Sequence, residues 1–177
     1  MLPDPLHPAI VHLPIALVIL IPIFAFGALW AIHRGRMTKR VWGLPVALMA
    51  LLVASAWLAL ETGEREEETV EAIVAESAID AHEEAAEQLI AVGVTILLLS
   101  SLGLFSGRLG GTARWVGAAG SLVLLAAGVQ VGRLGGELVY RHGAAAAYVD
   151  STPGVGQPSG DGQRGERRER GDDDDRN

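Results

Sequence analysis

The chain has 177 residues, of which 50% are hydrophobic, a formal net charge of −7 and a mean hydropathy of +0.32. It contains no cysteine, which excludes disulfides, iron–sulfur ligation, covalent c-type haem attachment and thiol catalysis. Nucleic-acid binding has no support, because the sequence lacks the basic patch that a phosphate backbone requires.

Four apolar stretches predict four membrane-spanning helices. They cover Ala9–Ile32, Val41–Leu60, Ala85–Phe105 and Trp115–Val131, and each is near the ~20 residues that cross a hydrocarbon core of ~30 Å. Backbone amides in lipid must be bonded within their own segment, and the connections between the stretches are short. We therefore expect an all-α, antiparallel four-helix bundle in the lipid bilayer, over residues 1–150.

Positive charges indicate the orientation of this bundle. They lie between the first and second stretches and between the third and fourth, at Arg34, Arg36, Lys39, Arg40, Arg108 and Arg114. The positive-inside rule makes these two loops cytoplasmic. Both termini are then outside, and the chain is expected in the inner membrane of a bacterium with its termini in the periplasm. No Lys or Arg precedes the first stretch, so we interpret it as an uncleaved span and not as a signal peptide.

The first span begins with two histidines and two prolines. His7 and His12 are five residues apart, a rotation of roughly 140° on a helix, so they do not share a face unless His7 lies in the entrance loop. Pro14 deprives the carbonyl of Ile10 of its helical partner. His12 is about one turn inside the span, where a titratable side chain is expensive enough to be a functional candidate. The simpler interpretation is that His12 packs against a neighbouring helix.

The second connection is strongly acidic. Between Glu61 and Glu87 there are eleven acidic residues and one basic residue, Arg65. Apolar residues recur there at steps of three and four, which predicts an amphipathic helix that starts at Glu66 and runs unbroken into the third span, an extension at about 64–84. His82 lies on its apolar stripe, where a packed histidine is the more common finding. The carboxylates lack the spacing of a calcium loop and are most simply a solvated face, although they can steer a cationic partner to the outer face.

The end of the fourth span combines small and charged residues. Gly128, Gly132 and Gly136 form a ridge that lets a second backbone, or a flat ligand, approach closely, so a homo-oligomer remains possible. Arg133, Glu137 and Arg141 are spaced for i,i+4 pairing. Beyond this span, residues 151–177 have almost no apolar side chains and are expected to form a disordered polar tail.

Two motifs resemble a known family. The start, His7-Pro8-Ala9-Ile10-Val11-His12-Leu13-Pro14-Ile15-Ala16, and the end, Gly135-Gly136-Glu137-Leu138-Val139-Tyr140-Arg141-His142-Gly143, are similar to the bacterial membrane family called domain of unknown function 2231, over about residues 5–149. Its members look like four-span proteins with a histidine after an acidic run, here His82. Similar domains occur beside Rieske-type or cytochrome c-type modules. The resemblance therefore implies a haem-holding or metal-holding partner in electron transfer.

Threading the spans through a bilayer brings four histidines to the outer face: His7, His12, His82 and His142. All four are candidate ligands of a transition metal ion. The first hypothesis is a b-type haem or a metal ion bound by two of His12, His82 and His142, with Arg133 near a propionate. An electron-transfer protein at the outer face would be the partner of such an envelope redox component.

Two other classes remain open. In an accessory protein the histidines would form a polar packing cluster with Glu61, Glu137 and Tyr140, and no ligand would be needed. A transporter is disfavoured because the spans carry no ionisable residue near their middle. The sequence shows no nucleophile elbow, phosphate loop or zinc-protease helix, so we assign no catalytic residue, and enzymatic activity remains undecided with the balance against it.

Overall fold

A computed structural model describes residues 7–149 of the chain. The helices are α1 (His7–Ile10), α2 (His12–His33), α3 (Gly43–Glu71), α4 (Glu76–Ser101), α5 (Gly107–Tyr140) and α6 (Ala146–Val149), with short 3-10 helices at Lys39–Trp42 and Leu102–Leu104. Residues 7–149 contain no strand, so the predicted all-α class is confirmed. The predicted tail at 151–177 lies outside the described residues.

Four helical segments are long and apolar enough to cross a membrane. They are His7–His33, Lys39–Glu71, Glu76–Leu104 and Gly107–Tyr140, and they confirm the four predicted spans. Each begins or ends beyond its apolar stretch. The last has 34 residues, a length of roughly 50 Å at ~1.5 Å per residue, which exceeds the ~30 Å hydrocarbon core. This helix therefore continues outside the apolar layer.

The four long helices pack in a closed ring. Helix α2 contacts α3, α3 contacts α4, α4 contacts α5, and α5 returns to α2. The core consists of large side chains that are almost fully buried: Leu17, Val18, Ile21, Met49, Leu52, Leu89, Ile96 and Leu124. Many other large apolar residues point outward, as Ile23 and Leu98 do. A bundle that is apolar on its outside suits a lipid environment.

The bundle has two chemically different ends. What we call the acidic end holds the starts of α2 and α4 and the ends of α3 and α5, with every Asp and Glu of residues 7–149. The opposite end, which we call the arginine end, holds the two other connections and the start of α5, with Arg34, Arg36, Lys39, Arg40 and Arg108. Antiparallel packing of helices joined by short connections brings each set of loops together.

Trp42 packs between the helices of the arginine end. It is fully buried, and its indole N–H donates to the carbonyl of Ser100 at 2.9 Å. A Cβ atom at Gly103 or Gly117 would lie at 3.0 Å or less from atoms of Trp42. Glycine is therefore needed at both positions to let the Leu102–Leu104 helix and α5 close around the indole ring.

The acidic segment is divided between two helices, which corrects the prediction of one unbroken helix from Glu66 into the third span. Helix α3 continues the second span as far as Glu71, and α4 begins at Glu76. Between them the chain reverses over residues 72–75, where Val74 is buried and Ala75 is extended, with φ −63° and ψ 131°. The reversal needs no Gly or Pro because Val74 anchors it and Ala75 adopts ordinary extended backbone.

Candidate histidine site at the acidic end

His7 is fixed against α3 by two hydrogen bonds. Its backbone N–H donates to Oε1 of Glu66 at 3.0 Å, and its ring Nδ1 lies 2.8 Å from the carbonyl oxygen of Ala59. A carbonyl only accepts hydrogen bonds, so Nδ1 must carry the proton. In the neutral ring, the lone pair is then on Nε2. In metal sites, a histidine ligand usually binds the metal through one ring nitrogen and donates the N–H of the other to a carbonyl or carboxylate.

Gly63 makes room for the His7 ring. A Cβ atom at position 63 would lie 3.2 Å from Cε1 and 3.3 Å from Nδ1 of His7. These distances are tighter than ordinary van der Waals contact. The ring therefore lies directly on the backbone of α3, one turn beyond the carbonyl of Ala59 to which it donates.

His82 lies in the first half of α4 and approaches α5 through Gly135. A Cβ atom at position 135 would be 3.0 Å from Cε1 of the His82 ring. The Nδ1 atom of His82 is buried and has no hydrogen-bond partner within residues 7–149. Buried polar atoms without a partner are rare and ask for an explanation, such as a ligand or a water molecule.

The structure brings His7 and His82 together. Their ring centroids are 6.4 Å apart, and the rings meet edge to face at an interplanar angle of 88°. A metal ion at ~2 Å from one nitrogen of each ring would place the centroids roughly 5–6 Å apart. The observed separation is slightly above this range, close enough for the two imidazoles to be candidate ligands of one ion.

Within the described part of the chain, no third protein ligand completes this pair. Residues 7–149 do contain a group of three side chains whose ligand atoms all lie within 4.8 Å of one another. It consists of Glu67, Asp80 and Glu83. That group joins α3 to α4 and includes neither histidine. Two imidazoles with further coordination positions open would suit a site that exchanges ligands or electrons, and not a closed structural site.

The other predicted ligands lie apart from this pair. His12 is exposed near the start of α2, and His142 is exposed in the turn after α5, where its backbone N–H donates to the carbonyl of Glu137 at 3.2 Å. His33 is exposed at the arginine end, as the topology predicted. The five-residue spacing already indicated that His7 and His12 face different ways, and the structure confirms that they do.

The supporting residues are engaged in local contacts. Oε1 of Glu137 lies 3.4 Å from Arg133 and 4.0 Å from Arg141, and Glu61 lies 3.5 Å from Arg65. These are the i,i+4 pairs of exposed helix surfaces. The side chain of Tyr140 is 89% exposed. Glu137 thus neutralises the arginines on both sides of it in the chain.

The glycine ridge of α5 is only partly used inside the bundle. A Cβ atom at Gly128 would lie 2.8 Å from Cγ1 of Val18 in α2. The corresponding positions at Gly132 and Gly136 have no atom within 4 Å. The first glycine therefore serves the contact between α2 and α5, while the other two leave open space.

Sequence reasoning missed the residues that hold the two rings. Ala59, Glu66 and Gly63 fix His7, and Gly135 receives His82. The available indication was a glycine inside each helix at the position of closest approach, since glycine costs ~1 kcal/mol in a helix interior and needs a packing reason. An alanine carbonyl offers no pattern at all.

Comparison with curated proteins and with solved structures gave no match. A sequence model of one family does match, and it spans residues 3–147, which include all four spans and both histidine motifs. Its description is "Predicted membrane protein (DUF2231)". The match agrees with the four apolar helices. The chain is an integral membrane protein with four spans, and it belongs to the DUF2231 family.

Proposed function

We propose that this protein binds a transition metal ion through His7 and His82 at the acidic end of the bundle, as a component of an envelope redox system. The observation that carries the proposal is the pair itself. Nδ1 of His7 donates to Ala59, which leaves Nε2 as a potential ligand, and Nδ1 of His82 is buried without a partner. Imidazole nitrogens are the commonest protein ligands of such metals.

The distribution of charge supports an outward-facing site. Five of the basic residues that bear on orientation lie at the arginine end, four between α2 and α3 and one at the start of α5: Arg34, Arg36, Lys39, Arg40 and Arg108. Short loops rich in Lys and Arg remain on the cytoplasmic side of a membrane. The histidine pair and both termini are then on the outer, periplasmic side of an inner membrane, where an electron-transfer protein would reach them.

A second candidate function is structural. The two hydrogen bonds of His7 attach the beginning of the chain to α3, and they do so without any ligand. In that case the histidine pair closes the end of the bundle by packing. A haem b group is a third outcome, in which Arg133 would lie near a propionate.

Metal binding by matched variants separates these functions. The protein is purified in mild detergent from cells rich in iron and haem, its metal content is measured, and oxidised and dithionite-reduced absorption spectra are recorded. The metal-free protein is then titrated with Co²⁺, whose visible spectrum reports on imidazole coordination. We expect one ion per chain, and an affinity lower by at least about tenfold in His7→Gln and in His82→Gln. Glutamine at position 7 still offers an N–H to Ala59, so this variant tests ligation more than folding.

His33→Gln and His12→Gln are the controls. His33 is exposed at the opposite end, and His12 is exposed away from the pair, so both variants should bind the ion normally. An equal loss in His33→Gln would contradict the site. If the parent protein shows a Soret band and His82→Gln does not, the ligand is haem and not a metal ion. If neither an ion nor haem binds, and His7→Gln only lowers the melting temperature, the structural function stands.

A further inference from the structure

Arg114 is a buried basic residue without an acidic partner among residues 7–149. The residue is 4% exposed, although it lies within the fourth span. Its Nη1 donates to the carbonyl of Gly103, with the carbonyl of Phe105 at 3.5 Å. The ion pairs of residues 7–149 do not include Arg114. A buried guanidinium that is bonded only to carbonyl oxygens keeps its full positive charge.

Within residues 7–149, the carboxylates belong to the other end of the bundle. Every Asp and Glu of these residues lies between positions 61 and 87 or at position 137, and these positions belong to the acidic end. The arginine end carries further basic residues, with Arg108 on the same helix as Arg114 and Arg34 and Arg36 on the connection after α2. Arg114 therefore has no acidic partner within residues 7–149, and a bound anion would balance its charge.

A cavity of about 160 Å³ opens beside the guanidinium, between α2 and α5. It is lined by Leu29, Ile32, His33, Gly111, Arg114 and Trp115. A Cβ atom at Gly111 would have no neighbour within 4 Å, so the missing side chain contributes to this space. The Nε and Nη2 groups of Arg114 have no acceptor within residues 7–149. Three N–H donors of this lining residue are thus left without an acceptor within residues 7–149.

We propose that this cavity binds the phosphate group of an anionic phospholipid. A guanidinium offers a planar pair of N–H groups that matches phosphate oxygens bidentately. Basic pockets between membrane-spanning helices bind lipid head groups for this reason. The neighbouring surface favours a lipid over a free ion, because Trp115, which lines the cavity, is 58% exposed and would lie along the acyl chains.

Lipid binding to matched variants tests the proposal. The protein is delipidated in an uncharged detergent and titrated with phosphatidylglycerol, with phosphatidylcholine of the same acyl chains, and with inorganic phosphate. Native mass spectrometry counts the bound lipid, and the melting temperature reports stabilisation. We expect one retained phosphatidylglycerol per chain, and an affinity roughly tenfold or more weaker in Arg114→Gln. Arg108→Gln removes the same charge from an exposed position of the same helix and should change this affinity by less than about twofold.

Arg114 also donates to the Gly103 carbonyl, so Arg114→Gln removes a structural hydrogen bond as well as the charge. A second variant tests the cavity without that change. Gly111→Leu fills the cavity and leaves the guanidinium and its bonds in place. It should fold normally and lose the retained lipid. The proposal is overturned if Gly111→Leu retains phosphatidylglycerol as the parent protein does, if phosphatidylcholine binds equally well, or if Arg108→Gln loses as much affinity as Arg114→Gln. Equal stabilisation by inorganic phosphate would also overturn it, since the ligand would then be a free anion.

Discussion

Replacing Gly128 by alanine should separate α2 from α5. The new Cβ atom would lie 2.8 Å from Cγ1, 2.9 Å from Cγ2 and 3.1 Å from Cβ of Val18. Val18 is 4% exposed, and as a β-branched residue in a helix it has one strongly preferred rotamer. The valine therefore cannot turn away, and the two backbones must move apart by a few tenths of an ångström.

The expected magnitude follows from two opposing effects. Overpacking of a well-packed core costs about 1–3 kcal/mol, whereas exchanging glycine for alanine inside a helix gains about 1 kcal/mol. Gly128→Ala should therefore destabilise the bundle by about 0–2 kcal/mol. Gly132 lies one turn further along α5, and a Cβ atom there would have no neighbour within 4 Å. Gly132→Ala should therefore stabilise the protein by up to about 1 kcal/mol.

The assay compares the two variants in one experiment. Unfolding is followed in mixed micelles of increasing denaturing detergent by tryptophan fluorescence and circular dichroism. Gly128→Ala should be less stable than Gly132→Ala by about 1–3 kcal/mol, and Val18→Ala should remove most of the clash in a Gly128→Ala background. Equal stability of the two single variants would refute the packing argument. A loss confined to Gly132→Ala would instead indicate self-association through the open part of the ridge.

Two further substitutions test contacts at opposite ends of the bundle. Trp42→Phe removes the indole N–H that donates to the Ser100 carbonyl at 2.9 Å and should lower the free energy of unfolding by about 1–2 kcal/mol; an unchanged melting temperature would contradict the role of this bond. Glu137→Gln removes both exposed i,i+4 contacts with its arginine neighbours, and it should cost less than about 1 kcal/mol, a cost that shrinks in high salt. A large, salt-independent loss would mean that Glu137 has a role that its exposed pairs do not explain.

The spans were predictable because hydropathy alone identifies them, but their ends were not. Helix α3 continues eleven residues past Leu60, to Glu71, since glutamate is a good helix former and water can solvate its carboxylate. The reversal at residues 72–75 has no Gly or Pro to mark it. Its position depends on the burial of Val74, which is a tertiary contact that sequence periodicity does not reveal.

The sequence predicted at which end of the bundle the candidate site lies, but not which histidines form it. Topology brought the histidines to one end, and the apolar stripe of α4 indicated that His82 faces inward. The choice of His7 over His12 as its neighbour depends on the interruption at Val11 between α1 and α2 and on the carbonyl of Ala59. Residue spacing predicts neither of these two features. Arg114 illustrates the same limit, because a sequence shows its charge and not its burial.

The interior of the bundle argues for function at its two ends. The buried polar side chains of residues 7–149 are Ser55, Thr62, Ser100, Arg114 and Ser121. Three of the hydroxyls donate to carbonyls of their own helices, Ser55 to Leu52, Thr62 to Ala59 and Ser121 to Ala118. The hydroxyl of Ser100 has no hydrogen-bond partner within residues 7–149. Most hydroxyls of the interior are thus satisfied by their own helices. The two proposals rest on the imidazole pair at the acidic end and on the guanidinium at the arginine end, and their proposed ligands have opposite charge.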